Sequence, residues 1–245
     1  AVREAKNGKA FIRAAEQAIQ QKIEVLSCER EAELAAAGIR MGFDHPDGLA
    51  GDLGGGSFEI VESDPGRRQH AITLPLGALR LAGESGGNLA RAAKLVDKQF
   101  ERTNWLRDAG QGRLFYPVGG TFRSIAKLHM TLRQYPLRVM HAYTCEAHAM
   151  TDFCAHIVRA ASRRGQYEGY DTISKGRRDL LPFGALVLQR FLARAETRDV
   201  VFSATGIREG LLYSLLSPVE QQRDALLAAC ADLANQRARS ALHAR

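Results

Sequence analysis

Apolar positions recur along this chain at two periods, and the alternation between them outlines the elements. Ala5, Phe11, Ala14, Ala15, Ala18 and Ile19 form a loose helical stripe. Ile23–Leu26 reads as a short strand, and residues 29–41, rich in Ala, Glu and Leu, predict a helix. The stretch Phe43–Gly48, with Pro46, Gly48 and two Asp, is the natural boundary. A strand-rich block follows. Gly48–Leu53 is a short apolar run, Gly54–Gly56 must turn, and Ser57–Glu62 alternates. Asp64-Pro65-Gly66 signals another turn, and His70–Pro75 continues as a third strand of the same meander. Helical spacing then dominates. Leu89, Ala92, Ala93, Val96 and Phe100 mark one helix, and Met150, Phe153, Cys154, Ile157 and Val158 mark another. Leu114–Val118 is a strand running through Gly119-Gly120 into a helix that carries Ile125, Leu128 and Leu132. Pro182–Ala193 predicts a helix, Val200–Phe202 a strand, and Ile207–Leu216 a helix. From Pro218 onward a single Ala/Leu/Arg-rich helix is expected.

Strands alternating with helices in this way give an α/β chain. Its 245 residues, 45% hydrophobic and 25% charged, are enough for a real core. No run approaches the ~18 apolar residues of a membrane-spanning helix. Four cysteines are too few for a disulfide scaffold, and a reducing cytoplasm is the expected compartment. The formal charge of +7 lies entirely beyond residue 44. It is densest at Arg159, Arg163, Arg164, Lys175, Arg177 and Arg178, a cluster suited to a polyanion or to a solvated helix end.

The sharpest local chemistry is Gly51-Asp52-Leu53-Gly54-Gly55-Gly56-Ser57-Phe58-Glu59. Three glycines let backbone N–H groups approach an anion without obstruction by Cβ. A P-loop or dinucleotide fingerprint would lead into a helix, whereas here an alternating strand follows. The unit is therefore strand, glycine turn, strand. Asp52 ends the first strand, where a carboxylate can hold hydrated Mg²⁺ against phosphate oxygens. Ser57 and Glu59 leave one face of the second strand. A second loop, Gly119-Gly120-Thr121, opens a helix that Thr121 can cap and whose free N–H groups favour anions. A third, Ser203–Gly210, has the same form. The Cys145, His148, Cys154, His156 group has poor metal spacing.

Four segments occur together in a recognisable order: Glu29-Arg30-Glu31-Ala32, Gly48 to Ser57, Gly119-Gly120-Thr121, and Gly206-Ile207-Arg208-Glu209-Gly210. With the opening Ala1-Val2-Arg3-Glu4-Ala5-Lys6-Asn7, they resemble the exopolyphosphatase / guanosine pentaphosphate phosphohydrolase family. The resemblance implies a two-lobed, actin-like, ribonuclease-H-like fold with a mixed sheet and flanking helices. Residues 1–44 would end the first lobe, 45–217 would form the second, and 218–245 a helical tail. The chain would then be an N-terminally truncated fragment lacking the family's first phosphate hairpin. On that basis the Glu31 helix should lack packing partners. It also implies hydrolysis of terminal phosphoanhydrides, with Glu31 as catalytic base. Asp52 and Glu59 would hold Mg²⁺ or another divalent cation, and Gly54, Gly55, Gly56, Ser57, Gly119, Gly120 and Thr121 would bind phosphate. The implied ligand is polyphosphate or guanosine pentaphosphate, with no membrane and no specific nucleic acid as partner and a homodimer left open. The alternative is a non-catalytic nucleotide- or alarmone-binding module of the same fold. Two positions depart from the family pattern, Phe58 after Ser57 and Arg30 in the glutamate segment.

Overall fold

The structure, a computed structural model, describes residues 2, 3, 5–63, 70–163 and 166–240. The Asp64-Pro65-Gly66 turn and Arg164 fall outside these. Two helices, α1 (Gly8–Ile19) and α2 (Cys28–Gly42), lead into strands β1 (Gly48–Leu53), β2 (Phe58–Glu62) and β3 (Ala71–Leu74). Helices α3 (Ala78–Ser85), α4 (Leu89–Phe100) and α5 (Leu106–Gly110) precede β4 (Leu114–Val118), α6 (Gly120–Leu132) and β5 (Tyr143–Glu146). Then come α7 (Ala147–Ser162), α8 (Lys175–Arg178), α9 (Leu181–Ala195), β6 (Asp199–Phe202) and α10 (Ile207–Ser214). The tail holds α11 (Pro218–Gln221) and α12 (Ala225–Arg237). No helix among the described residues is long and apolar enough to cross a membrane.

The sheet runs β3-β2-β1-β4-β6-β5. The meander β1–β2–β3 is antiparallel, β4 lies parallel to β1 and to β6, and β5 closes the far edge antiparallel to β6. Alternation along each strand separates two cores. Leu49, Leu53, Phe58, Ile60 and Phe115 point into the larger one, under α3, α4, α6, α7 and α9. Ala50, Val61, Tyr116, Val118 and Val201 point the other way, onto Ala32, Ala36 and Ile39 of α2. Ser27 caps α2, its hydroxyl accepting from the Arg30 N–H at 3.1 Å.

The helix carrying Glu31 is therefore not short of partners. It buries Ala32 and Leu34–Ile39 against the sheet and α10. Its contact with α10 is unusually close, because Gly38 faces the Gly206 carbonyl and Gly210 faces the Leu34 carbonyl with no room for a Cβ. Two further expectations need correction. Ile23–Leu26 is not a strand: among the described residues no strand pairs with it, and it runs as irregular chain, pinned by Arg3 donating to the Leu26 carbonyl at 2.6 Å. The tail is two helices rather than one, because Asp224 caps the second by accepting from the Leu227 N–H at 2.8 Å.

At the end of β2 away from the glycine turn, Glu62 is buried and accepts from the His70 N–H at 3.0 Å and from Arg113 at 3.2 Å. The His70 ring stacks on Trp105 with centroids 5.0 Å apart.

Candidate active site

Register brings the acids together. Asp52 of β1 pairs directly with Glu59 of β2, and Asp52 pairs with Val118 of β4 on its other side. By strand parity both carboxylates leave the sheet on the face that α2 covers. Glu31, in the first turn of α2, approaches the same face. Like charges directly opposite on neighbouring strands destabilise a sheet. This sequence nevertheless places two there and buries Glu59 to 4% exposure.

The cost shows in their proton affinities. Burial, then the nearby Glu31 charge, raises Asp52 to about 6, against a smaller opposing effect of Arg123. Glu59 rises to about 7, again mainly through burial; the Ser57 hydroxyl opposes the rise, while Glu31 and Asp52 add to it. Since the folded pKa of Glu59 exceeds its unfolded value, the folded chain holds that proton more tightly. The contribution of this carboxyl to stability is therefore full below about pH 4.5 and is lost as pH rises through about 7. We predict that Glu59→Gln removes a loss on the order of 2 kcal/mol between pH 5 and 8. Urea unfolding of both proteins at the two pH values tests this. Parallel pH dependences would show that Glu59 is ionised at no such cost.

The glycine turn is shaped to receive an anion. Two of its carbonyls are occupied, Gly54 accepting from the Ala78 N–H at 3.2 Å and Gly55 from the Arg80 N–H at 3.0 Å. Among the described residues, the N–H groups of Gly55, Gly56 and Ser57 donate to no protein acceptor. The second loop abuts the acids. Gly119 has φ +101°, and a Cβ there would stand 2.7 Å from both Asp52 Oδ1 and the Leu53 carbonyl. Only glycine fits this position. Thr121 does not cap α6: the helix begins at Gly120 with no side-chain cap, and the Thr121 methyl lies against Gly184 of α9. The third junction differs from the other two, because its N–H groups are already used. Ala204 donates to His141 at 3.3 Å, Thr205 to Ser203 at 3.1 Å and Gly206 to Glu209 at 2.8 Å.

Three arginines complete the surroundings, none of which the motifs assign to the site. Arg3 ion-pairs with Glu31 at 2.7 Å, which raises the affinity of its guanidinium for its proton. Arg123, one turn into α6, lies within electrostatic reach of Asp52. Its position four residues after Gly119 in the first turn of the helix was the available signal. Arg177, assigned from sequence to a surface cluster, instead donates to the Gly120 carbonyl at 2.8 Å and to Ser124 at 3.2 Å. Its neighbour Arg178 is likewise engaged, donating to the Ile173 and Asp171 carbonyls and lying over Tyr170.

No cluster of three or more metal-ligating side chains occurs among the described residues. The pair Asp52 and Glu59 nonetheless fits a hard divalent cation. Mg²⁺ takes one or two carboxylates and completes its shell with water and substrate phosphates. Glu59 Oε1 is buried without a hydrogen-bond partner, which leaves its lone pairs unused by protein donors.

The model of the Ppx/GppA phosphatase family matches residues 1–218. Exopolyphosphatase 1 of Mycobacterium tuberculosis is 28% identical over 228 residues, covering 88% of this chain and 65% of that protein. Retrograde regulation protein 2 of Saccharomyces cerevisiae is 26% identical over 260 positions, covering 94% of this chain and 42% of its own length. The chain thus spans about two-fifths to two-thirds of these relatives. The crystal structure of an exopolyphosphatase-like protein superposes with a TM-score of 0.70 at 26% identity, covering 86% of this chain and 71% of that one. An exopolyphosphatase from Cytophaga hutchinsonii gives 0.72 at 19% identity, with 87% and 72% covered, a likeness of fold. The mixed six-stranded sheet with helices on both faces is the actin-like fold of these neighbours.

Proposed function

The chain belongs to the Ppx/GppA phosphatase family, and from that premise we propose that it hydrolyses the terminal phosphoanhydride of inorganic polyphosphate or guanosine pentaphosphate. The observation that carries the reading is the buried Asp52–Glu59 pair beside an anion-ready glycine turn, with Glu31 on the same face. In this reading Glu31 takes a proton from water as its oxygen bonds to the terminal phosphorus. The bridging P–O bond breaks, and the shortened chain leaves with the electron pair. Amides of Gly55, Gly56 and Ser57, with Gly119, Gly120 and Thr121 at the start of α6, bind the phosphoryl oxygens; the glycine turn and helix start offer positive N–H dipoles there. A divalent cation, Mg²⁺ in this reading, would be held by Asp52 and Glu59 and would neutralise charge on the transferred group. Residues 1–44 would end one lobe, 45–217 form a second and 218–245 a tail, with α2 bridging the division onto the second-lobe sheet. The free cysteines suit a cytoplasmic setting.

One observation favours a second reading, ligand binding without turnover: Glu31 Oε2 is held by Arg3, which competes with a water for the same oxygen. The test is phosphate release from polyphosphate and from guanosine pentaphosphate, with and without Mg²⁺. Metal-dependent release supports hydrolysis. Tight binding of either compound with no release supports the module.

A further inference from the structure

Helix α6 begins at Gly120, and among the described residues the Thr121 N–H donates to no protein acceptor. The carbonyl of that same peptide unit is in the opposite state. Gly120 O accepts from the Ser124 hydroxyl at 3.0 Å and from Arg177 Nη1 at 2.8 Å, and the same nitrogen meets Ser124 Oγ at 3.2 Å. The guanidinium is pressed onto the backbone here: a Cβ at Gly120 would stand 2.8 Å from Nη2 and 3.1 Å from Cζ. Arg177 belongs to α8, a single turn flanked by the buried Ile173 and Leu181. Its neighbour Arg178 is engaged within that segment, pairing with Asp171 at 3.5 Å. Arg177 has no carboxylate within ion-pair distance among the described residues, and its hydrogen bonds go to α6. A cation on a carbonyl oxygen strengthens the dipole of the whole peptide unit, which here ends in the Thr121 N–H. It also fixes the plane of that peptide, so the N–H keeps one direction. The loop abuts the acids, because a Cβ at Gly119 would lie 2.7 Å from Asp52 Oδ1.

We propose that Arg177 is a positioning residue for the hydrolysis: it grips the Gly120 carbonyl, and so aims and strengthens the Thr121 N–H toward the phosphoryl group without touching the substrate itself. This rests on the hydrolase reading of the same site. The N–H faces charge that grows on the phosphoryl oxygens as the P–O bond breaks, so its loss acts more on turnover than on binding. Both hydrogen bonds come from one nitrogen, so a lysine ammonium at that point can replace them. A guanidinium forked onto a phosphate could not be replaced in that way. Ser124 is the second handle. It is 7% exposed, beneath the start of the helix, and its hydroxyl reaches the same carbonyl.

The experiment compares the wild-type chain with Arg177→Ala, Arg177→Lys, Ser124→Ala and the Arg177→Ala/Ser124→Ala double variant. Arg177 is exposed, so the fold should survive its replacement, and a thermal melt checks this. Phosphate release from inorganic tripolyphosphate with Mg²⁺ is the first readout. Arg177→Ala is expected to lower kcat about tenfold or more, with KM changed less than about threefold. Arg177→Lys should recover to within about threefold of the wild type. Ser124→Ala should act in the same direction, and its effect should not add to that of Arg177→Ala. A normal kcat in Arg177→Ala would overturn the proposal while leaving the hydrolase reading intact. A loss carried by KM, unrescued by lysine and additive with Ser124→Ala, would overturn it in favour of direct phosphate contact. The second readout needs no turnover: the amide resonance of Thr121 in the free protein. It is expected to move in Arg177→Ala, while those of Gly55 and Gly56 stay in place. A Thr121 resonance that does not move would overturn the grip on the loop. Absence of phosphate release from the wild type, with the Thr121 resonance moving as expected, would overturn the hydrolase reading and the role in turnover, and leave only the grip.

Discussion

Glu31→Gln is expected to lower phosphate release from polyphosphate by about 10²–10⁴-fold, the usual worth of a positioned base, with little change in melting temperature. The side chain sits 27% exposed at the start of α2, and among the described residues its one ion pair is with Arg3. Partly exposed pairs contribute about 1 kcal/mol or less, so the fold does not depend on it. Glutamine keeps the shape and can still accept from Arg3, but it cannot take a proton from water. Phosphate release should be followed beside a thermal melt. Near-normal turnover with an unchanged melt would remove Glu31 from the mechanism and direct attention to Glu29, two residues earlier in the same turn. A large drop in melting temperature would show instead that Arg3–Glu31 supports the fold.

Gly210→Ala should destabilise the protein by roughly 2–3 kcal/mol, the cost of forcing atoms into a filled interface. Propensity alone argues the reverse, because alanine is about 1 kcal/mol better than glycine inside a helix. Packing decides the sign. A Cβ at Gly210 would collide with the Leu34 carbonyl and stand 2.8 Å from the Gly38 amide nitrogen, both of them backbone atoms that cannot rotate away. Moving α10 outward would also shift α2, and with it Glu31, so turnover should fall together with stability. Gly83→Ala in α3 is the matched control: nothing lies within 4 Å of its Cβ, and it should be neutral or slightly stabilising. If the two variants melted alike in urea, the close α2–α10 crossing would be wrong.

The meander, the glycine turn and the helices of regular period were legible because each is written locally. Gly54–Gly56 cannot do anything but turn, and Phe58, Ile60 against Glu59, Val61 alternate over a strand that is half in each core. What escaped was decided by neighbours. Ile23–Leu26 has strand-like residues but no ladder to join. Tyr143–Glu146 holds strand-favouring Tyr143 and Thr144 but is only four residues long, too short to show a period, and it becomes a strand because β6 lies alongside. Helix α3 has an apolar stripe through Ala78, Leu81 and Ala82, but it is only eight residues long with Gly83 inside it, and Gly77 before it fits against Gly55. At the site, the acids and glycines were readable as types, and the Asp52–Glu59 pairing follows from the hairpin register. The arginines were not, since a charged side chain on a helix usually faces water. Only the fold shows that Arg3 reaches Glu31 and Arg177 reaches Gly120.

Trp105 is the one tryptophan of the chain, and its ring stacks on His70 at the end of β2 away from the acids. Glu62, which holds His70, is three residues beyond Glu59, about 10 Å along the strand. The indole is therefore a built-in fluorophore that views unfolding of the sheet and not occupancy of the glycine turn. Its emission can follow a urea titration while released phosphate is read by colour in the same sample. A variant that loses turnover with its emission curve intact has lost chemistry, and one that shifts both has lost structure.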